Sequence, residues 1–248
     1  MNEPASTVPR TPVAAWARSL MARFDGAVMR VEPPRAVGST AVPLNAAQQA
    51  AWAHLHTWCF AGAGDGRNPF WRPGALPRVE QRFALARLAN GLDTERAPLV
   101  EAFCRHLDGS DQLAAAGGAM AGLLLRLRVK RDDALWWRAR QPSDPWDCGH
   151  LIGEPQALQR FQPRRATLMV ADESLSDAAL RRALHVMQAN SAGFHHPVRL
   201  LVVGRSSEAL AWSSTPSNFE AITEIAWPSA DAELLSSAAR AATASASR

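Results

Sequence analysis

Residues 166–204, ATLMVADESLSDAALRRALHVMQANSAGFHHPVRLLVVG, constrain the fold of this chain more than any other stretch. Thr167, Leu168, Met169 and Val170 form a short, largely apolar run, the pattern of a strand covered on both faces. Asp172, Ser174 and Ser176 then supply side-chain oxygens where a helix begins, where they can accept from the orphan N–H groups of a first turn. From Asp177 the apolar residues Leu180, Ala183, Leu184 and Met187 recur at helical spacing. Asn190 to Gly193 end that helix. A second apolar run, Val198 to Val203, follows Pro197 and closes at Gly204. Strand, helix and apolar strand in succession predict a right-handed parallel crossover. Ligands of such sheets sit at the carboxyl ends of the strands, here at residues 172–176 and 204–207.

The remaining chain supplies helices before this unit and further strands around it. Residues 1–43 hold six prolines and no long periodic segment, the pattern of a flexible arm with a short extended piece at Val28 to Val31. Asn45 with Gln48 forms a capping-box pattern that opens a helix through Trp58. Pro77 starts a second expected helix, with Val79, Phe83 and Ala86 in register and Asn90–Gly91 at its end. A third spans about Glu95 to Leu107, and Ser110 caps a fourth, short one. In residues 123–140, Leu125, Leu127 and Val129 alternate with Arg126, Arg128 and Lys130, and Leu135 to Arg140 follow a turn at Arg131 to Asp133. This reads as a β-hairpin, with a helix as the competing reading. Residues 141–163 read as a linker, Ala221 to Ala226 as a last strand and Asp231 to Ala242 as a last helix. The expected class is α/β: a helical N-terminal half, then a mixed sheet with a β-hairpin and a parallel β-α-β unit. The expected divisions are a flexible arm 1–43, a helical region 44–120, an α/β domain 121–242 and a disordered tail 243–248.

Composition narrows the setting. No apolar run in the 248 residues reaches the length of a membrane span, and the first residues lack the apolar core of a secretory signal. Cys59, Cys104 and Cys148 are odd in number and widely spaced, as expected of reduced thiols in a cytoplasmic protein. Lys130 is the one lysine among 27 basic residues, and tyrosine is absent. This bias has two readings, a GC-rich bacterial genome or a surface for carboxylates and phosphates, which arginine grips in bidentate fashion. A net charge of +4 does not by itself require nucleic acid.

Several chemistries are excluded by what is missing. No G-x-x-x-x-G-K-[ST] occurs, no G-x-S-x-G or G-x-G-x-x-G follows a strand, and no tyrosine nucleophile is available. A nuclease site built on Asp followed by Glu-x-Lys has Leu175 where its lysine is needed, which leaves only an inactive nuclease-like fold. Cys148 and His150 have the spacing of half a zinc site without a second pair of ligands nearby. Asp172-Glu173-Ser174-Leu175-Ser176 fits D-x-S-x-S, and with its strand before and helix after it resembles the first metal-binding element of von Willebrand A domains. That resemblance covers about 40 residues and implies Asp172, Ser174 and Ser176 as ligands of a hard divalent cation such as Mg²⁺. The family also needs a Thr and an Asp from two later loops; Val203-Gly204-Arg205 offers no carboxylate and Thr215 is a poor substitute, so the competing reading of the three residues is a polar helix cap, and no metal or cofactor is expected.

The remaining signal is aromatic and basic. Six of the nine tryptophans lie between Trp52 and Trp146. Trp136 and Trp137 are adjacent and, on a strand, point to opposite faces. With Arg126, Arg128, Arg138 and Arg140 they make a candidate binding face, for a protein through anchor residues or for single-stranded nucleic acid through stacking. The functional expectation is a non-catalytic cytoplasmic accessory protein that binds another protein. The alternatives are a nucleic-acid-binding protein and a von Willebrand A-like metal-dependent module.

Overall fold

A computed structural model of the chain describes residues 26–30, 43–61, 82–88, 92–115, 119–134, 144–194, 196–205, 222–225 and 227. The described strands are β1 (Met29–Arg30), β2 (Phe83–Leu88), β3 (Asp147–Leu151), β4 (Thr167–Ala171), β5 (Val198–Val203) and β6 (Thr223–Ile225). The described helices are α1 (Ala46–Cys59), α2 (Asp93–Leu107), α3 (Ser110–Ala115), α4 (Ala119–Ala134), α5 (Pro155–Arg160) and α6 (Asp177–Asn190). The strands form one sheet in the order β1-β3-β4-β5-β2-β6. Only β1 runs antiparallel; every other neighbouring pair is parallel. The expected β-α-β unit is β4-α6-β5, with Met169 opposite Leu200.

The sheet is covered on both faces. Met169, Ala171, Leu200 and Val202 point to one side, where they meet Leu180, Ala183, Leu184 and Met187 of α6 together with Leu158 of α5. Leu168, Val170, Leu201 and Leu88 point to the other, where they meet Ala51 and Leu55 of α1 and Leu99 and Phe103 of α2. Strands buried on both faces lose the apolar–polar alternation of a half-exposed strand and read as continuous apolar runs.

Local chemistry fixes the helix ends. Asn45 Oδ1 accepts from the Gln48 N–H at 2.8 Å and Gln48 Oε1 accepts from the Asn45 N–H at 2.9 Å, the reciprocal pair that opens α1. At its other end the buried Arg199 side chain, on β5, donates from Nε to the Cys59 carbonyl at 3.2 Å. A cation there suits the negative end of the helix dipole. Burial lowers Arg199 to about 10, which leaves it charged at neutral pH. Ser176 Oγ accepts from the Ala179 N–H at 3.2 Å and so caps α6.

Three sequence expectations are corrected. Residues 83–88, expected within a helix, are β2, which lies between β5 and β6. Ala84 and Ala86 are small helix formers, but this segment is wanted by both layers: Leu85 packs toward α6 and Ala86 and Leu88 toward α1 and α2. The sheet therefore takes strands from both sides of residue 120. Residues 119–134, expected to begin a hairpin, are the 16-residue helix α4. Leu, Arg, Lys, Met and Ala are all good helix formers, and their summed propensity outweighs a period-two pattern of three pairs. Residues 147–151, placed in a linker, are β3, and residues 155–160 are α5.

Candidate functional site

The carboxyl edge of the parallel strands gathers most of the polar chemistry. α2 leaves the end of β2 toward one face and α6 leaves the end of β4 toward the other, so the chain departs in opposite directions around the end of β5. Open α/β sheets bind ligands at such points. Asp172, directly after β4, is the hub. Its Oδ2 lies 2.8 Å from Nδ1 of His150 on β3, and its Oδ1 accepts from the backbone N–H of Ser174 at 2.9 Å and from the Ser174 hydroxyl at 2.5 Å. Burial pushes the Asp172 carboxyl up, but the hydrogen bonds from Ser174 and His150 outweigh it and hold the group below the usual carboxylate range.

Two arginines tie this loop to its neighbours. Arg205, after β5, pairs with Asp177 at the start of α6 and donates to the carbonyls of Asp172, at 3.1 Å, and of Leu175. Arg96 of α2 pairs with Asp93 and lies 3.9 Å from Glu173. Gly204 has φ of +80°, and a Cβ there would collide with the Glu173 carboxylate. Next to them, Arg87 of β2 pairs with Glu224 of β6 at 2.5 Å and donates to the Arg205 carbonyl at 3.2 Å. A carboxylate–imidazole pair can orient a ring for proton transfer. Here Ser174 donates to the carboxylate, so among the described residues this hydroxyl is not set against the imidazole as nucleophile against base. The arrangement ties β2, β3, the β4 loop, α6 and the end of β5 to one another.

The residues of the D-x-S-x-S pattern are occupied in the same way: Asp172 with Ser174 and His150, Ser176 with the first turn of α6. Among the described residues, no group of three or more His, Cys, Asp and Glu side chains is placed to hold a metal ion. Cys148, paired with His150 in the sequence reading, is buried in the core beside Cys104, and burial followed by a hydrogen bond with Cys104 raises its thiol well above the usual range. The pairing of His150 with Asp172 depends on β3 lying beside β4, a long-range contact that the sequence around His150 does not signal. For β3 itself the one signal is apolar Trp146, Cys148 and Leu151 around Gly149, a weak strand pattern.

The second candidate is α4. Its inner side is fixed by the buried Val129 and by Asp133, whose carboxylate takes both Nε, at 2.8 Å, and Nη2 of Arg165. Its outer side carries Met120 at 68% exposure, Leu124 at 61% and Leu127 at 55%, with Leu123 beside them at 39%. Arg128 and Arg131 continue the exposed side toward the helix end, whereas Arg126 and Lys130 are half-buried. The expected face of Arg126, Arg128 and Lys130 is thus corrected: on a helix, residues two apart point in different directions. Trp136, Trp137, Arg138 and Arg140 lie outside the described residues. Trp146 is a core residue, in edge contact with Phe60 at 5.3 Å.

Among the described residues, no helix is long and apolar enough to cross a membrane. In comparisons with known proteins, no family model, no curated protein and no solved structure matches the chain.

Proposed function

We propose that this chain is a non-catalytic accessory protein that binds another protein, and that the outward side of α4 makes the contact. The observation that carries this reading is the row Met120, Leu123, Leu124 and Leu127, exposed on a helix whose opposite side is anchored. Single exposed leucines are ordinary, but a contiguous apolar row marks an interaction surface. Turning the helix to hide the row would break the buried pair of Asp133 with Arg165, at a cost of roughly 3–5 kcal/mol. At the carboxyl edge, the carboxylates are engaged by arginines, histidine and serine of the same chain, which favours binding over catalysis.

Arg128 and Arg131 beside the row favour nucleic acid as the second reading. The experiment that separates the two compares wild type with Leu124→Glu combined with Leu127→Glu. Protein partners recovered by wild type after nuclease treatment and lost by the double variant support the first reading. Binding to single- or double-stranded DNA or RNA, with log affinity falling linearly against log salt and unaffected by the double variant, supports the second. If the double variant melts like wild type and retains every protein partner, α4 has no binding role.

A further inference from the structure

All three cysteines of the chain, far apart in sequence, meet in the layer between the sheet and helices α1 and α2. Cys59 at the end of α1 and Cys148 on β3 are buried there, and Cys104 of α2 packs against the same cluster. One backbone contact brings two of them together. The Trp146 N–H donates to the Leu107 carbonyl at 2.8 Å, which sets the entry to β3 against the last turn of α2. Cys148 lies two residues beyond Trp146, on the same side of the strand, and Cys104 lies three residues before Leu107, on the same side of the helix. The thiols of Cys104 and Cys148 are thus neighbours, and they hydrogen-bond to each other. Among the described residues the three thiols are not placed to share a metal ion.

We infer that Cys104 and Cys148 are a redox modification site, which hydrogen peroxide closes reversibly into a disulfide. Cys104 is partly exposed, whereas Cys59 and Cys148 are buried, so peroxide meets Cys104 first. The Cys104 sulfur attacks one peroxide oxygen, the O–O bond breaks, and a sulfenic acid forms as the other oxygen leaves as water. The Cys148 sulfur then attacks the Cys104 sulfur. The S–O bond breaks, and the hydroxyl leaves as a second water with the Cys148 proton. Two thiols are oxidised to one disulfide, and one peroxide is reduced to two waters. Burial raises the Cys148 thiol, which protects it from peroxide on its own, while its place against Cys104 makes the second step intramolecular. The bond closes the stretch of chain that carries α3 and α4. Closing a loop of that length restricts the unfolded chain, so the oxidised protein should melt several degrees above the reduced one.

The test treats the full, folded chain with dilute hydrogen peroxide and reads it by intact mass and by peptide mapping without reductant. The expected product is lighter by two hydrogens, carries a Cys104–Cys148 cross-link and returns to the starting mass with dithiothreitol. Cys59→Ala should form the same cross-link. Cys148→Ala should stop at a sulfenic acid on Cys104, captured by dimedone, and Cys148→Ser serves as a second variant, with circular dichroism confirming the fold of each. The wild-type map requires no variant to fold.

Addition of oxygen to Cys104 without a cross-link, or a cross-link that includes Cys59, overturns the inference. So does a disulfide that forms only in urea, since the folded chain would then hold the two thiols apart. An oxidised protein that melts below the reduced one would show a bond forced on the fold, and overturns it as well.

Discussion

Asp133 on α4 holds Arg165, two residues before β4, through both carboxylate oxygens, and both side chains are almost fully buried. Arg165 Nη1 also lies 3.7 Å from Asp147 at the start of β3. A helix outside the two layers is thus fastened to the amino ends of two adjacent strands. The pair orients α4 more than it adds stability, because removing both charges from water offsets much of their attraction.

Removing one partner is a different matter. Asp133→Ala strips the two-oxygen carboxylate contact from a buried guanidinium, and urea unfolding should show a loss of about 3–5 kcal/mol. Asp133→Leu combined with Arg165→Met should recover at least half of that loss. A loss below about 1 kcal/mol for Asp133→Ala would mean that the pair does not hold α4 in place.

Leu201 tests the core. It is fully buried on β5, between Val170 of β4 and Ala86 of β2 in the sheet. Leu201→Ala should cost about 2–5 kcal/mol. Leu201→Asp buries a charge with no counter-ion built for it and should leave no folded protein, since total stability is only about 5–15 kcal/mol. A soluble Leu201→Asp protein with wild-type melting would contradict this placement of the core.

What could be read from the sequence followed the strength of local signals. β4-α6-β5 was legible because two apolar runs flank a helix with a clear apolar stripe. The start of α1 was legible because Asn45 and Gln48 are chemically committed to a cap. β2 was hidden because Ala84, Ala86 and Arg87 suit a helix when only neighbours in sequence count, whereas partners more than 100 residues away set its conformation. α4 was misread because three leucine or valine residues alternating with three cations imitate a strand. The site followed the same rule. Asp172 and Ser174 bond within one loop and could be singled out, but His150 reaches them only through the pairing of β3 with β4.

Gly204 and Glu173 give a double-mutant test. Gly204→Ala should cost about 1–2 kcal/mol for the left-handed backbone alone, and more while Glu173 occupies the space of the new methyl group. In a Glu173→Ala background the cost should fall to the backbone part, and the difference between the two is the coupling of the residues. Additive losses in urea unfolding would show that Glu173 does not press on Gly204 in solution.

Magnesium provides a check on the β4 loop. Both oxygens of Asp172 already accept hydrogen bonds, and Ser176 is used by α6. Calorimetric titration with Mg²⁺ should therefore give no stoichiometric heat. Stoichiometric binding that disappears in Asp172→Ala would instead make the D-x-S-x-S loop a cation site.

The last prediction concerns acid. The Asp172 carboxyl sits below its ordinary range because Ser174 and His150 favour its charged form more than burial disfavours it. A carboxyl with a depressed folded pKa binds fewer protons in the folded state than in the unfolded one. Its contribution is therefore complete above the unfolded value of about 3.9 and is lost as the pH falls through the folded value. Asp172→Asn removes this contribution, so at neutral pH the variant should melt below wild type. The gap should stay constant down to about pH 4 and close as the pH falls further. Taking the difference between the two melting curves cancels the titration of the other acids shared by both proteins. A gap that stays the same from neutral pH to well below pH 4 would show that the carboxylate of Asp172 gains nothing from Ser174 and His150, and that its place beside them is one of shape alone.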